Sequence, residues 1–184
     1  MTPRVFIIPS LVIAALIGVG LFAFTRHGRW TDEGGGVRDT RTQTEHRAPD
    51  FALKDYDGNA VVFSQFRGRP VVVNSWAAWC PFCREELKDF SAVQREFGDR
   101  VVIIAIDRAE SLETAKRYSD ELGVTEDLIF LLDPSDSFYQ SIGGFSMPET
   151  IFVDREGKIV FHKRGPMKVD EIWERVAEIL NPKP

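Results

Sequence analysis

The chain is poor in cysteine: its 184 residues contain two, Cys80 and Cys83. That excludes a disulfide-stapled scaffold, and a chain of this length does not need one, because it can bury an ordinary core. Histidine is nearly as scarce. His27, His46 and His162 are scattered and form no spaced pair of the kind a zinc site uses. Excess positive charge is also missing, with 23 Lys and Arg against 28 Asp and Glu, which argues against nucleic acid as the main partner. There is no internal repeat, and Gly34-Gly35-Gly36 is the nearest approach to low complexity. With 43% hydrophobic residues the chain reads as globular rather than disordered.

One long segment lacks charge entirely. Val5–Phe24, VFIIPSLVIAALIGVGLFAF, lies between Arg4 and Arg26. As a helix it would span about 30 Å, the thickness of a bilayer's hydrocarbon core. It is longer than the apolar part of a usual signal peptide, and no A-x-A site follows it. Gly18-Val19-Gly20 and Ala23-Phe24-Thr25 are weak cleavage candidates, and no cysteine follows the run to carry a lipid. The expectation is an uncleaved transmembrane anchor over residues 1–25, with a cleaved signal sequence as the alternative. A literal count of flanking arginines favours a cytoplasmic C-terminal side. Large domains, however, translocate largely regardless of such charges, so the count leaves the orientation open.

Residues 26–47 carry the glycine triplet and polar residues without apolar periodicity, and read as a flexible linker. The folded domain is expected over residues 48–184. Phe51–Leu53 and Ala60–Phe63, around Asp57-Gly58-Asn59, read as a hairpin. Pro70–Ser75 and Val101–Ile106 are continuous apolar runs of the kind found in central strands. Between them, Pro81–Phe97 reads as a helix with Cys83, Leu87, Phe90, Val93 and Phe97 on one face, stopped by Gly98. Ser111 can cap a second helix that ends before Gly123. A strand at Leu128–Leu132 and a short helix ending at Gly143 follow. Thr150–Val153 and Lys158–His162 then form a hairpin, and a terminal amphipathic helix carries Val169, Ile172, Trp173, Val176 and Leu180. A β-α-β unit followed by a β-β-α unit gives an α/β fold, with a mixed central sheet and helices on both faces.

Cys80-Pro81-Phe82-Cys83 falls where the first central strand meets the first helix. A helix beginning near Pro81 would put Cys80 at its N-cap, where unpaired N–H groups and the dipole favour a thiolate. Cys83, one turn later, would be tucked toward the core. The pair then divides into an exposed attacking sulfur and a shielded resolving sulfur, as dithiol–disulfide exchange requires. Other readings are less suited to the spacing. A structural disulfide closing so short a loop is worth only about 2 kcal/mol. A zinc site lacks ligands, and two inert core cysteines remain a plain alternative.

Val72–Cys83, VVNSWAAWCPFC, resembles the strand-to-active-site segment of thioredoxin-like proteins, with Trp76 and Trp79 ahead of the first cysteine. Ala48-Pro49-Asp50-Phe51, Asp57-Gly58 and Phe66-Arg67-Gly68-Arg69-Pro70 resemble the opening of the TlpA/ResA-like membrane-anchored branch. Phe145-Ser146-Met147-Pro148-Glu149-Thr150, leading into IFVDREGKIV, resembles that branch's cis-proline loop and hairpin. The resemblance implies a thioredoxin-like three-layer sandwich behind an N-terminal transmembrane helix. It implies Cys80 as nucleophile, Cys83 as resolving residue, and Trp79, Met147 and cis-Pro148 as the surface that meets substrate. Glu86 matches a glutamate implicated in the chemistry of the ResA-like group; the alternative is that Arg84, Glu85 and Glu86 are ordinary solvated charges. Asn74 stands where thioredoxin has a buried aspartate, which leaves Glu86 or water as proton acceptor for Cys83.

The implied activity is thiol–disulfide exchange outside the cytoplasm, more as a reductant of protein disulfides than an oxidant, with apocytochromes c as possible substrates. It implies a membrane electron donor and needs no organic cofactor or metal. Two other readings are a peroxiredoxin-like peroxidase, because the APDF-type opening is shared, and a copper-handling module that uses the two thiolates with His162.

Overall fold

The structure is a computed structural model that describes residues 47–181. The expected anchor, and the expected linker up to residue 46, lie outside the described residues. No helix among the described residues is long and apolar enough to cross a membrane.

Among the described residues, seven strands form one sheet: β1 Ala52–Asp55, β2 Ala60–Val62, β3 Val71–Trp76, β4 Val102–Arg108, β5 Ile129–Asp133, β6 Glu149–Val153 and β7 Ile159–Arg164. Their spatial order is β2-β1-β5-β4-β3-β6-β7. β3, β4 and β5 run parallel to one another, while the remaining pairings are antiparallel. The sheet is therefore mixed, as the alternation of elements implied. The two uninterrupted apolar runs are its centre, and every residue of β3 is buried.

The helices are α1 Cys83–Phe97, α2 Leu112–Leu122, α3 Ser137–Ser141 and α4 Val169–Leu180. Local chemistry sets their ends. Ser111 Oγ accepts the Thr114 N–H at 3.2 Å, and Gly123 closes α2 at φ 70°, a left-handed conformation that suits a residue without Cβ. The Asp133 carboxylate accepts the N–H groups of Ser137 (3.0 Å) and Phe138 (2.8 Å), which starts α3.

α1 begins later than the sequence suggested. Cys80 N–H donates to Ala77 O (3.1 Å) and Cys83 N–H to Cys80 O (3.3 Å), so two successive turns take up Ala77–Cys83 before the first helical bond, Glu86 N–H to Phe82 O. The N-cap is Phe82, not Cys80.

Strand alternation sorts the core into two layers. Val72 and Trp76 join Ile103, Ala105, Phe130 and Phe152 beneath α1, α2 and α4. Val71 and Val73 join Ile104, Ile106 and Ile151 on the opposite face, under Phe51, Phe66 and Phe138 of α3. Each such side chain, fully buried, contributes about 1.5–3 kcal/mol. Pairing of Ser75 with Glu149 brings the loop before β6 to the sheet end at which β3 terminates. Loops from the two strands therefore meet at one pole.

Candidate active site

Cys80 and Cys83 are joined by a disulfide, with their Cα atoms 5.4 Å apart. The expected split into exposed and shielded residues is not present in this oxidised form: Cys80 is 1% exposed and Cys83 0%. Cys80 sits where the two turns that delay α1 meet. Cys83 N–H nevertheless lies 3.3 Å from Cys80 Sγ, so a donor at the helix start does face the sulfur expected to attack. Such a donor favours the thiolate once the bond is reduced.

Of the three charges in the first turn of α1, Glu86 alone turns inward, and it is 2% exposed. It lies one turn beyond Cys83 on the same helix. Asn74 Nδ2 donates to Glu86 Oε2 (2.9 Å) and to Thr150 Oγ1 (2.9 Å), and Met167 N–H donates to Glu86 Oε1 (2.8 Å). Burial pushes the Glu86 carboxyl up to about 8, against the opposing pull of those two donors. Asn74, unable to be a base, thus holds a carboxyl group in place. Glu85 is exposed and pairs with Lys88 at 3.0 Å.

The Met147–Pro148 peptide bond is cis, with Pro148 buried and Met147 half-buried. Met147 lies just outside β6 and takes part in none of the loop's backbone hydrogen bonds. The loop is held from behind by Glu149, a residue the sequence motif contained without a role. Its carboxylate is 0% exposed; Oε2 accepts the Phe145 and Ser146 N–H groups at 2.8 and 3.1 Å. On Oε1 converge His162 Nε2 at 2.7 Å and Arg164 Nε at 3.3 Å. His162, the residue a copper reading would need, is thus engaged by Glu149. Tyr139 donates its hydroxyl to Ser146 O (2.8 Å) and packs against Gly144, where a Cβ would sit 2.4 Å from the ring.

The two tryptophans part company. Trp76 is fully buried, stacked on Tyr118 (5.6 Å between centroids), whereas Trp79 is 62% exposed. Phe82 and Phe145 are also exposed aromatics of these two loops. The sequence motifs contain both without giving either a site role, although an aromatic between two cysteines or beside the proline loop is a usable signal. A further carboxyl pair, Asp107 and Glu110, touches the loop from β4: Glu110 Oε2 accepts the Ala78 N–H at 2.6 Å.

A disulfide at the end of a parallel strand, entering the first helix of a mixed sheet, is how a thioredoxin-like thiol–disulfide oxidoreductase carries its two sulfurs. The chain belongs to the Redoxin family, which it matches over residues 43–178. The thiol:disulfide interchange protein DsbE of Allochromatium vinosum is 36% identical over 140 residues, 73% of this chain and 72% of that protein. The thiol-disulfide oxidoreductase ResA of Bacillus thuringiensis subsp. konkukian is 24% identical over 171 residues, covering 91% of this chain and 94% of that one. Among solved structures, the exposed lipoprotein thioredoxin of Streptococcus pneumoniae strain TIGR4 superposes with a TM-score of 0.64 at 30% identity, over 71% of this chain and 99% of that chain. The protein is a thiol–disulfide oxidoreductase of the ResA/DsbE type.

Proposed function

We propose that the protein is a membrane-tethered reductant of protein disulfides outside the cytoplasm. Residues 1–25 serve as anchor, 26–47 as linker and 48–184 as the catalytic domain; the uncharged Val5–Phe24 run supports that division. The observation that carries the chemistry is the buried Glu86 carboxyl, one turn beyond Cys83 and held by Asn74.

In the reduced protein the Cys80 thiolate attacks a substrate disulfide. A mixed disulfide forms and one substrate thiolate leaves. Glu86, as carboxylate, takes the proton from the Cys83 thiol. The Cys83 thiolate then attacks Cys80 Sγ, the second substrate sulfur leaves as a thiolate that takes up a proton from Glu86 or water, and the Cys80–Cys83 disulfide closes. Two electrons have passed to the substrate. A base near 8 is matched to a thiol proton, and that match is the use of burying Glu86. Trp79, Met147 and Pro148 meet the substrate chain. Resemblance to the TlpA/ResA-like branch supports apocytochromes c as substrates. The oxidised protein must be recharged by a dithiol from a membrane electron donor.

Replacing Cys83 with Ser in cells stalls the reaction at the mixed disulfide. Capture of apocytochromes or a membrane electron carrier on Cys80 supports a reductant. Capture of many unrelated secreted proteins would make the protein an oxidant instead, and capture of nothing would remove the exchange mechanism. Modification of reduced Cys80 by a membrane-impermeant thiol reagent on intact cells tests its placement outside the cytoplasm.

A further inference from the structure

Attack on the Cys80–Cys83 disulfide requires access to Cys80, yet that residue is 1% exposed. The Ala77–Cys80 turn that carries it is held by Glu110, just beyond β4, through the Ala78 N–H. Asp107 is a charged residue in an otherwise apolar stretch of strand and is 0% exposed. Its Oδ1 accepts the Glu110 N–H at 3.2 Å, while Oδ2 has no hydrogen-bond partner among the described residues unless it carries a proton. Glu110 follows Asp107 by three residues in the same turn, so its carboxyl group is kept close to that oxygen, and its Oε2 takes the Ala78 N–H at 2.6 Å. A proton on Asp107, donated to Glu110, satisfies the orphaned oxygen. Two ionised carboxylates in this place would repel at short range with little water to screen them.

We propose that Asp107 and Glu110 are positioning residues for Cys80: while they share a proton, Glu110 grips the Ala78 N–H and keeps the Ala77–Cys80 turn closed over the disulfide, and loss of that proton frees the turn and exposes Cys80 to attack. The proposal rests on Cys80–Cys83 being the exchanging pair.

The surroundings favour this behaviour. Burial, reinforced by Glu110, pushes the Asp107 carboxyl well above the usual carboxylate range. Tyr56, from the β1–β2 connection, is partly buried, with a hydroxyl that is sealed from solvent and unpartnered among the described residues, and desolvation raises its own titration. From α2, Lys116 is taken by Asp120 at 2.9 Å, and Tyr118 lies under Arg84 of α1. Arg108, next to Asp107, is paired with Asp136. No cation forms an ion pair with Asp107 or Glu110 among the described residues. Glu110 is half-buried, so it can turn to water when the shared proton is gone.

The test is reduction of the oxidised full-length protein in detergent by a phosphine, from about pH 6 to about pH 9, read as the rate ratio of wild type to Asp107→Asn. Asn donates to Glu110 at every pH, so the ratio should climb about tenfold, as expected when one charged hydrogen bond is released. Both proteins carry Glu86 and meet the same reductant, so those contributions cancel. Glu110→Ala should be reduced about tenfold faster than wild type at the acidic end and converge with it at the alkaline end. If Asp107→Asn does not fold, Glu110→Gln replaces it, because it keeps an acceptor for Ala78 but cannot form the repelling pair. A ratio that stays flat while reduction proceeds, or a Glu110→Ala variant no faster at acidic pH, overturns the positioning pair alone. A wild-type disulfide that resists reduction at every pH overturns the exchanging pair together with it.

Discussion

Glu86 and Glu149 are both glutamates sealed from solvent, at 2% and 0% exposure, and the protein furnishes them in opposite ways. Glu86 receives two neutral N–H donors, from Asn74 and Met167. Glu149 receives two backbone N–H groups together with the Arg164 guanidinium and the His162 ring. A carboxyl group with neutral donors and no cation is left poised between protonation states. One surrounded by donors from a loop and a strand is a fastener. Burial alone therefore says little about a glutamate's work; the donors around it decide.

The largest expected effect comes from removing the fastener. Glu149→Ala orphans two loop N–H groups and uncouples Arg164, and should lower stability by about 3 kcal/mol in urea titration. A loss under a third of that would mean that water replaces the carboxylate without penalty.

Glu86→Gln should instead spare the fold and slow exchange. Resolution of a mixed disulfide by Cys83 should fall roughly 10²-fold around neutral pH, the scale of a lost general base. Its stability should also respond to pH with a definite sign. Because the folded value is raised from 4.5 to about 8, the native state keeps a proton that the unfolded chain gives up. The wild-type contribution is complete below the unfolded value and is lost as pH rises through the folded one. Glu86→Gln should therefore gain on wild type in melting temperature between these limits, and a difference independent of pH would contradict the assignment.

Asn74→Ala sharpens the contrast further. It removes a donor that lowers the Glu86 titration, so the Glu86-dependent limb of the pH–rate profile should move to higher pH. A shift to lower pH would show that Asn74 acts on something else. The smallest effect belongs to Arg164→Gln. That side chain is 53% exposed, so its ion pair should be worth no more than about 1 kcal/mol by chemical denaturation. A loss approaching that of Glu149→Ala would make the ion pair, rather than the loop N–H groups, the fastener.

What the sequence made legible was local. The apolar runs of β3 and β4, the Ser111 cap and the Gly123 stop each depend on a few neighbouring residues, and each appears where expected. The cysteine pair was legible because of its position between a strand and a helix. The burial of Cys80 was not, because it depends on two turns whose hydrogen bonds leave no mark in composition. Glu86 could not be separated from Glu85 by residue type, and Met167, one of its donors, is 81 positions away. Asp107 and Glu149 did leave a signal, a single acid within VIIAIDR or ETIFV. A charge inside a buried strand has to be compensated somewhere, and the chain does not say where until it folds.

Arg47 and Ala48 tie the start of the described chain to the β6–β7 turn, through Arg47 Nη1 to Glu156 O (3.1 Å) and Ala48 N–H to Gly157 O (3.0 Å). That turn follows the end of β6 remote from Glu149, a strand's length of about 17 Å from the disulfide pole. A mechanical load on the chain ahead of residue 47 is thus borne by the rear of the sheet. The site loops stay slack under such tension, and the sulfur chemistry is insulated from any pull that enters at residue 47.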